Sequence, residues 1–257
     1  MTRFCAANLL PRFLAAPLFG DRGRFGLVPD RLDPDWIEWQ KIYLDFYDAN
    51  QKRSVGAVVN DAGYGVLSGL NLDGGRVLEI GPGELSHLAF WRGAPAGYTL
   101  ADIDARMLER ASSRLRDRDL AFTADLLEAG PGRPLPYRDA SFDFVLSFYS
   151  LEHLFPLGGY LDEMIRVLKP GGKLAGAVPA EGGLAWGLGR FLTSRRWFRK
   201  NTSINPDKII CWEHPNFAPD ILAALDARLR RCHVRYWPLG LPLTDLNLIL
   251  RFVYEKR

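Results

Sequence analysis

The run Leu78-Glu79-Ile80-Gly81-Pro82-Gly83, together with the helical stretch behind it, constrains this chain more than any other feature. An apolar stretch of strand length, 76–80, ends on two glycines, and 84–91 then reads with helical period. Glycine lets backbone approach a ligand closely because no Cβ intervenes. A helix N-terminus behind it offers free N–H groups and a positive field to an anion. Short apolar runs and helical periods then alternate. Strands are expected at 98–102, 120–123, 142–147 and 173–178, and helices at 105–116 and 157–168, the second stopped by Pro170-Gly171-Gly172. This alternation predicts a parallel sheet covered by helices on both faces. Two last strands, 234–237 and 246–254, are joined by Pro238-Leu239-Gly240-Leu241-Pro242. That link is too short for a helical crossover, so the pair should be antiparallel.

Composition narrows the class. The 257 residues are 47% hydrophobic and 25% charged, which excludes a disordered tail, a collagen and a coiled coil. A chain of this length buries a large core without covalent staples. Cys5, Cys211 and Cys232 are odd in number and widely spaced, so neither a disulfide framework nor a zinc site is expected. Reduced thiols and a cytoplasmic location are the expectation. The net charge of +3 is unevenly spread: residues 61–180 carry 12 basic and 16 acidic groups, residues 181–257 carry 13 and 7. Ahead of the sheet, Asp33-Pro34 reads as a helix start, with a helix to about Arg53 carrying Trp36, Trp39, Tyr43, Phe46 and Tyr47. A second helical stretch is expected over 55–69, weakened by Gly56, Gly63 and Gly65. Residues 1–70 therefore form an N-terminal helical arm, and 71–257 the main domain, with an insertion at about 181–216. The segment 4–19 contains no acidic residue and is interrupted by Pro11 and Arg12. It reads as an arm packed on the domain; its second reading is an interfacial helix, with Arg3 and Arg12 near lipid headgroups.

Asp102 ends the second strand about 20 residues beyond Gly81, where a carboxylate can grip ribose hydroxyls. Asp104 reads as the cap of the next helix. A nicotinamide-binding turn would carry a third glycine at position 86, which is Ser86. The ordered set of segments resembles the class I S-adenosylmethionine-dependent methyltransferases, particularly their type-11 branch. Leu78–Gly83 is similar to that family's first motif, and Ala101-Asp102-Ile103-Asp104 with Met107-Leu108 to its second. Thr123-Ala124-Asp125, Ser141-Phe142-Asp143-Phe144-Val145, Leu151-Glu152-His153 and Arg166-Val167-Leu168-Lys169-Pro170-Gly171-Gly172 come next in the family's order, covering about 76–178. The resemblance implies an α/β, Rossmann-like, seven-stranded and mostly parallel sheet of order 3-2-1-4-5-7-6, with strand 7 antiparallel and helices on both faces. It implies S-adenosyl-L-methionine as cofactor; no metal site is expected from the cysteine spacing. Gly81 and Gly83 would pass its methionine part, and Glu79 would order its amino group, through water. Asp102, beside Ile103, would accept from both ribose hydroxyls. Asp125 would accept from the adenine amino group, Leu126 would supply a backbone N–H, and Ser147 would line the pocket. Two departures stand out: Leu85 replaces the family's third glycine, and a ten-residue excursion containing Gly130, Pro131 and Gly132 comes after Asp125.

Alignment of an acceptor with the methyl group supplies most of the rate in such chemistry, and a base helps where the acceptor loses a proton. His153, after the fourth strand, and His214, in the insertion, are the candidate catalytic residues. The segment 184–200 joins Trp186, Phe191, Trp197 and Phe198 to Arg190, Arg195, Arg196, Arg199 and Lys200. It reads either as an amphipathic helix with solvated charges or as a lid for an anionic or lipid-linked acceptor. Trp36, Trp39 and Tyr43 would close the pocket from the other side. The expected acceptor is a small molecule or a glycan- or lipid-linked intermediate, methylated on O or N. Nucleic acid is not expected, because no binding motif accompanies the short basic surface. The alternative is a cofactor-binding subunit that acts through a protein partner.

Overall fold

The computed structural model describes residues 5–50, 55–118, 120–128, 130 and 133–257. Seven strands, β1 (Arg76–Ile80), β2 (Gly97–Asp102), β3 (Phe122–Leu126), β4 (Phe142–Phe148), β5 (Leu168–Pro179), β6 (Arg230–Trp237) and β7 (Ile249–Glu255), form one sheet. Their order is β3-β2-β1-β4-β5-β7-β6. The first five are parallel, and β7 runs antiparallel to both β5 and β6. This is the sheet the sequence predicts, down to the position of the reversed strand.

The central strands are apolar on both faces because helices cover both. On one face Leu78, Val145, Leu174 and Phe252 meet α7 (Leu157–Val167) and α11 (Ala218–Asp226) through Leu161, Met164, Ile221 and Leu225. On the other, Val77, Leu146, Ala175 and Val253 meet α6 (Ala105–Arg116) through Leu108, Ala111 and Leu115. The edge strands β3 and β6 keep exposed positions, as strands with one unpaired side do.

The segment 184–213 is helical. It forms α8 (Leu184–Leu192), α9 (Ser194–Asn201) and α10 (Pro206–Glu213). The arm contributes α1 (Ala6–Leu9), α2 (Arg12–Phe19), α3 (Arg22–Phe25), α4 (Pro34–Asn50) and α5 (Val55–Tyr64). Asp33 accepts from the Asp35 N–H at the start of α4 and pairs with Lys208 of α10. Trp39 of α4 is buried with Phe198, Ile209 and Trp212, a core of its own shared by arm and insertion. At the chain start, the Ala6 N–H donates to Asp245 at 2.7 Å and the Ala7 N–H to the Gly182 carbonyl at 3.0 Å. No helix among the described residues is long and apolar enough to cross a membrane.

Several boundaries differ from expectation. The stretch after the glycine turn is a short 3-10 helix, Ser86–Phe90, not an α-helix. The second helical stretch stops at Tyr64, and a 3-10 turn comes next at Leu67–Gly69. Strand β3 starts at Phe122 because its register pairs Tyr98 with Phe122. Strand β5 begins at Leu168, so it contains the Pro170-Gly171-Gly172 expected as a turn. Arg3, the 51–53 end of the first long helix, and Pro131 and Gly132 of the excursion lie outside the described residues.

Candidate functional site

The site lies where the parallel strands end. The Gly81 N–H donates to the Ala101 carbonyl at 2.9 Å, and Gly81 and Gly83 take φ of 68° and 55°. A Cβ on Gly81 would fall 2.9 Å from the Ser150 Cβ, so this glycine admits the turn after β4. Leu85, in place of the family's third glycine, also has positive φ, 52°. The left-handed turn persists there without glycine, and strain is the consequence.

Glu79 sits beneath this turn with no exposed surface. The Tyr98 hydroxyl donates to its Oε2 at 2.6 Å, and His87 Nε2 lies 2.8 Å from its Oε1. The Trp91 indole N–H donates to His87 Nδ1, which makes Nε2 the protonated nitrogen and Glu79 the acceptor. Both oxygens of Glu79 are thus engaged within the protein. Ser147 is likewise fully buried, and its hydroxyl bonds to that of Ser150. It braces the turn from below; the expected pocket-lining role is corrected to that extent. Ser150 also donates to the Ile80 carbonyl at 3.2 Å, tying the β1 and β4 turns together.

Asp102 ends β2, half-buried, and accepts from the Asp104 N–H at 2.9 Å. Burial pushes its carboxyl up to about 6, against the lowering effect of the Asp104 and Ile103 backbone N–H groups. No described cation pairs with it. Asp104 caps α6 by accepting from the Arg106 N–H at 2.8 Å, its expected role. Asp125 on β3 pairs in register with Ala101, one position before the Asp102–Leu126 pair, and accepts from the Tyr137 hydroxyl at 2.8 Å. Ile103 and Leu126 flank these acids and are exposed. Tyr47 of α4 reaches over the turn, its hydroxyl 3.4 Å from a Cβ built on Gly83.

The two candidate histidines come together although 61 positions separate them: their rings are 4.7 Å apart. His153 Nδ1 bonds to the backbone carbonyl of Glu213 and lies 3.4 Å from its carboxylate. The Trp39 indole donates to Glu213 at 2.6 Å, which links the arm, α10 and the β4 turn in one chain of contacts. Desolvation by the packed surroundings disfavours the charge on His153, whose side chain stays 37% exposed at one edge, but Glu213 and Glu152 outweigh it and raise the imidazole to about 9. His214 goes the other way: burial first, then the charges of Arg190 and His153, hold it well below the ordinary imidazole range. Neighbouring Glu152 is buried and pushed by that burial up to about 7.

Sequence reasoning missed Glu181, at the end of β5. It is buried, receives Arg190 and the Trp186 indole, and lies 2.8 Å from His214 Nδ1. An acid between Ala180 and Gly182-Gly183, just past a buried strand, was the available signal. Arg190 and Arg195 are themselves buried, the second paired with Asp207, so the charges of 184–200 are not simply solvated.

A glycine turn that a side chain would fill, an unpaired half-buried acid one strand over, and exposed apolar residues beside both strand-end acids suit a cofactor with an aminoacyl tail, a ribose and a flat base. Residues 78–176 match the methyltransferase domain family. The matched segment and the sheet order are similar to those of the class I S-adenosylmethionine-dependent methyltransferases, a class whose cofactor is S-adenosylmethionine. Among curated relatives, it is 37% identical over 111 residues to the ubiquinone/menaquinone biosynthesis C-methyltransferase UbiE of Pseudomonas putida, covering 42% of this chain and 43% of that one. The namesake from Shewanella sediminis is 35% identical over 107 residues, covering 39% and 41%. The chain thus matches less than half the length of these relatives. Among solved structures, the PH0226 protein of Pyrococcus horikoshii superposes with a TM-score of 0.55 at 17% identity, covering 84% of this chain and 99% of that one. A SAM-dependent methyltransferase from Aquifex aeolicus gives 0.52 at 16% identity, covering 83% and 98%. These two likenesses concern the fold.

Proposed function

We propose that this chain transfers the methyl group of S-adenosylmethionine to a small hydroxyl-bearing acceptor, free or linked to a glycan or lipid, held between the β4 turn and the 181–216 insertion. The observation that carries this reading is the contact of Ser150 with both Ile80 and the Gly81 turn, three residues before His153. It sets the cofactor turn and the paired histidines side by side on the same edge of the sheet.

When bound, the sulfonium supplies the methyl group and a good leaving group. The chain's own part is binding and alignment. Asp102 accepts from ribose hydroxyls, Ile103 and Leu126 border the base, and the Asp125 carboxylate, already tied to Tyr137, faces its amino edge. Glu79 acts through the turn it supports. Tyr47 and the Trp39–Glu213 contact close the site from the arm and keep water out. His153 and His214 meet the acceptor. Arg22 and Arg190 each keep a buried N–H without a partner, and Arg22 donates to the His214 carbonyl at 2.6 Å; this supports an acceptor bearing negative charge. The C-methyltransferase name of the relatives supports including a carbon activated by a neighbouring hydroxyl, besides oxygen, as the atom methylated.

The test is incubation of the full chain with methyl-labelled cofactor and fractionated cell extract. Label should enter a small polar or lipid-extractable product, and Asp102→Ala should abolish it. Label found only in protein or nucleic acid would overturn the reading.

A further inference from the structure

Glu152, His153 and His214 present one ligand atom each, and these atoms all lie within 4.8 Å of one another. We propose that the three side chains bind one divalent transition-metal cation, of the zinc or manganese type, on the acceptor side of the cofactor turn.

Two imidazole nitrogens and a carboxylate oxygen are a donor set for borderline cations, and a poor one for magnesium or calcium. Glu152 supplies an independent sign. It is 1% exposed, and its Oε2 is buried without a hydrogen-bond partner. A buried carboxylate oxygen left bare is costly. His153 Nε2 stands 4.0 Å from Glu152 Oε1, too far for a hydrogen bond. Arg190 bonds to Glu181 through Nη2 and makes no hydrogen bond to Glu152 Oε2. A cation between Glu152 and the histidines would take one carboxylate oxygen as ligand and offset the charge of this buried group.

The surroundings orient the ligands as metal sites require. Glu213 holds His153 by Nδ1, which leaves Nε2 facing Glu152. Glu181 Oε1 lies 2.8 Å from His214 Nδ1, misaligned for a hydrogen bond, and its own Oε2 is also without a partner. Ligand atoms around such a cation, at roughly 2.0–2.2 Å from it, are about 3–4 Å apart. Closing the cluster therefore takes a swing of about 1 Å, and His153, at the exposed edge, has room for it.

Three protein ligands leave a position open, the pattern of a catalytic rather than a structural site. The use of that position rests on the acceptor-side reading above; the binding of the cation does not. An acceptor hydroxyl there would lose its proton to solvent more readily. The resulting oxygen anion would form its bond to the methyl carbon as the carbon–sulfur bond breaks, leaving the neutral thioether.

The metal-stripped full chain, titrated with Zn²⁺ and separately with Mn²⁺, should bind one equivalent of each. Mg²⁺ should bind far more weakly. Glu152→Gln, His214→Ala and His153→Ala should each weaken Zn²⁺ binding at least tenfold, while His233→Ala, on edge strand β6, should not. Calorimetric binding of S-adenosylhomocysteine by the same variants shows that they are folded; His153→Ala, altering an exposed side chain, is the variant least exposed to failure on that count. Absence of saturable Zn²⁺ or Mn²⁺ binding, or binding unaffected by these substitutions, would overturn the proposal. Metal binding without methyl transfer would instead count against the function above and leave the site standing.

Discussion

At the scale of residues, the acids at the strand ends divide between scaffolding and binding. Asp102 is the acid proposed to bind the cofactor, and its environment makes a prediction with a sign. Its folded value, about 6, exceeds the ordinary 3.8. The folded state therefore holds its proton more tightly than the unfolded chain does. That stabilisation is complete below about 4 and is lost as pH rises through about 6. Asp102→Asn should accordingly raise the stability of the cofactor-free protein at pH 8 by roughly 1–3 kcal/mol, with the gain vanishing near pH 4; denaturant melts at both values check it. Cofactor affinity of the unmodified chain should fall below pH 6 as Asp102 takes up its proton, by up to about tenfold per pH unit. Glu79 is the scaffolding acid. Glu79→Gln places an amide N–H against a donor, either His87 or Tyr98, and should cost roughly 1–3 kcal/mol in a thermal or urea melt. An unchanged midpoint would show that the triad does not hold the turn.

Among the elements, the contacts that matter join parts far apart in sequence. A Cβ on Gly176 would overlap the Ser147 carbonyl on β4, a backbone atom that cannot move aside. Gly176→Ala should therefore destabilise the sheet by several kcal/mol, near the upper end for single substitutions, with soluble expression as the first readout. Trp39 is buried among Tyr43, Phe46 and Phe198 and donates to Glu213. Trp39→Ala should cost about 3–5 kcal/mol, whereas Trp39→Phe removes chiefly the hydrogen bond and should cost about 1–2 kcal/mol. The sheet was legible beforehand because strands such as 76–80 and 142–148 are largely buried and read as short, mainly apolar runs. The short Pro238–Pro242 link exposed the reversed strand. The 3-10 turn at Ser86–Phe90 was not legible: its apolar spacing fits either helix, and the left-handed Leu85 that separates them leaves no mark in composition. The placement of candidate residues was legible where a residue stands at its own strand end, as Gly81 and Asp102 do. It was not where tertiary packing decides. Nothing local shows that Glu181 meets His214, or that Ser147 points into the core.

For the molecule as a whole, the uneven charge acquires a physical meaning. The acidic middle holds Asp102 and Asp125, the carboxylates proposed to meet a cationic cofactor. The basic tail folds part of its charge inward, with Arg190 on Glu181 and Arg195 on Asp207, and keeps Arg196, Arg199 and Lys200 at the surface. Arm and insertion share one apolar core around Trp39 and Trp212, so they cap the sheet edge as a unit. Cofactor binding beneath that cap should raise the thermal midpoint, since at about a hundredfold excess over Kd a ligand adds ~2.7 kcal/mol. On the proposed reading, the β1 and β2 ends of this sheet bind S-adenosylmethionine through Asp102. Calorimetric titration of the full chain with S-adenosylhomocysteine at pH 7.5 or thereabouts tests it most directly. One equivalent should bind, and Asp102→Ala should weaken that binding at least tenfold while the protein stays folded. No binding to the unmodified chain, or equal binding by the variant, would contradict it.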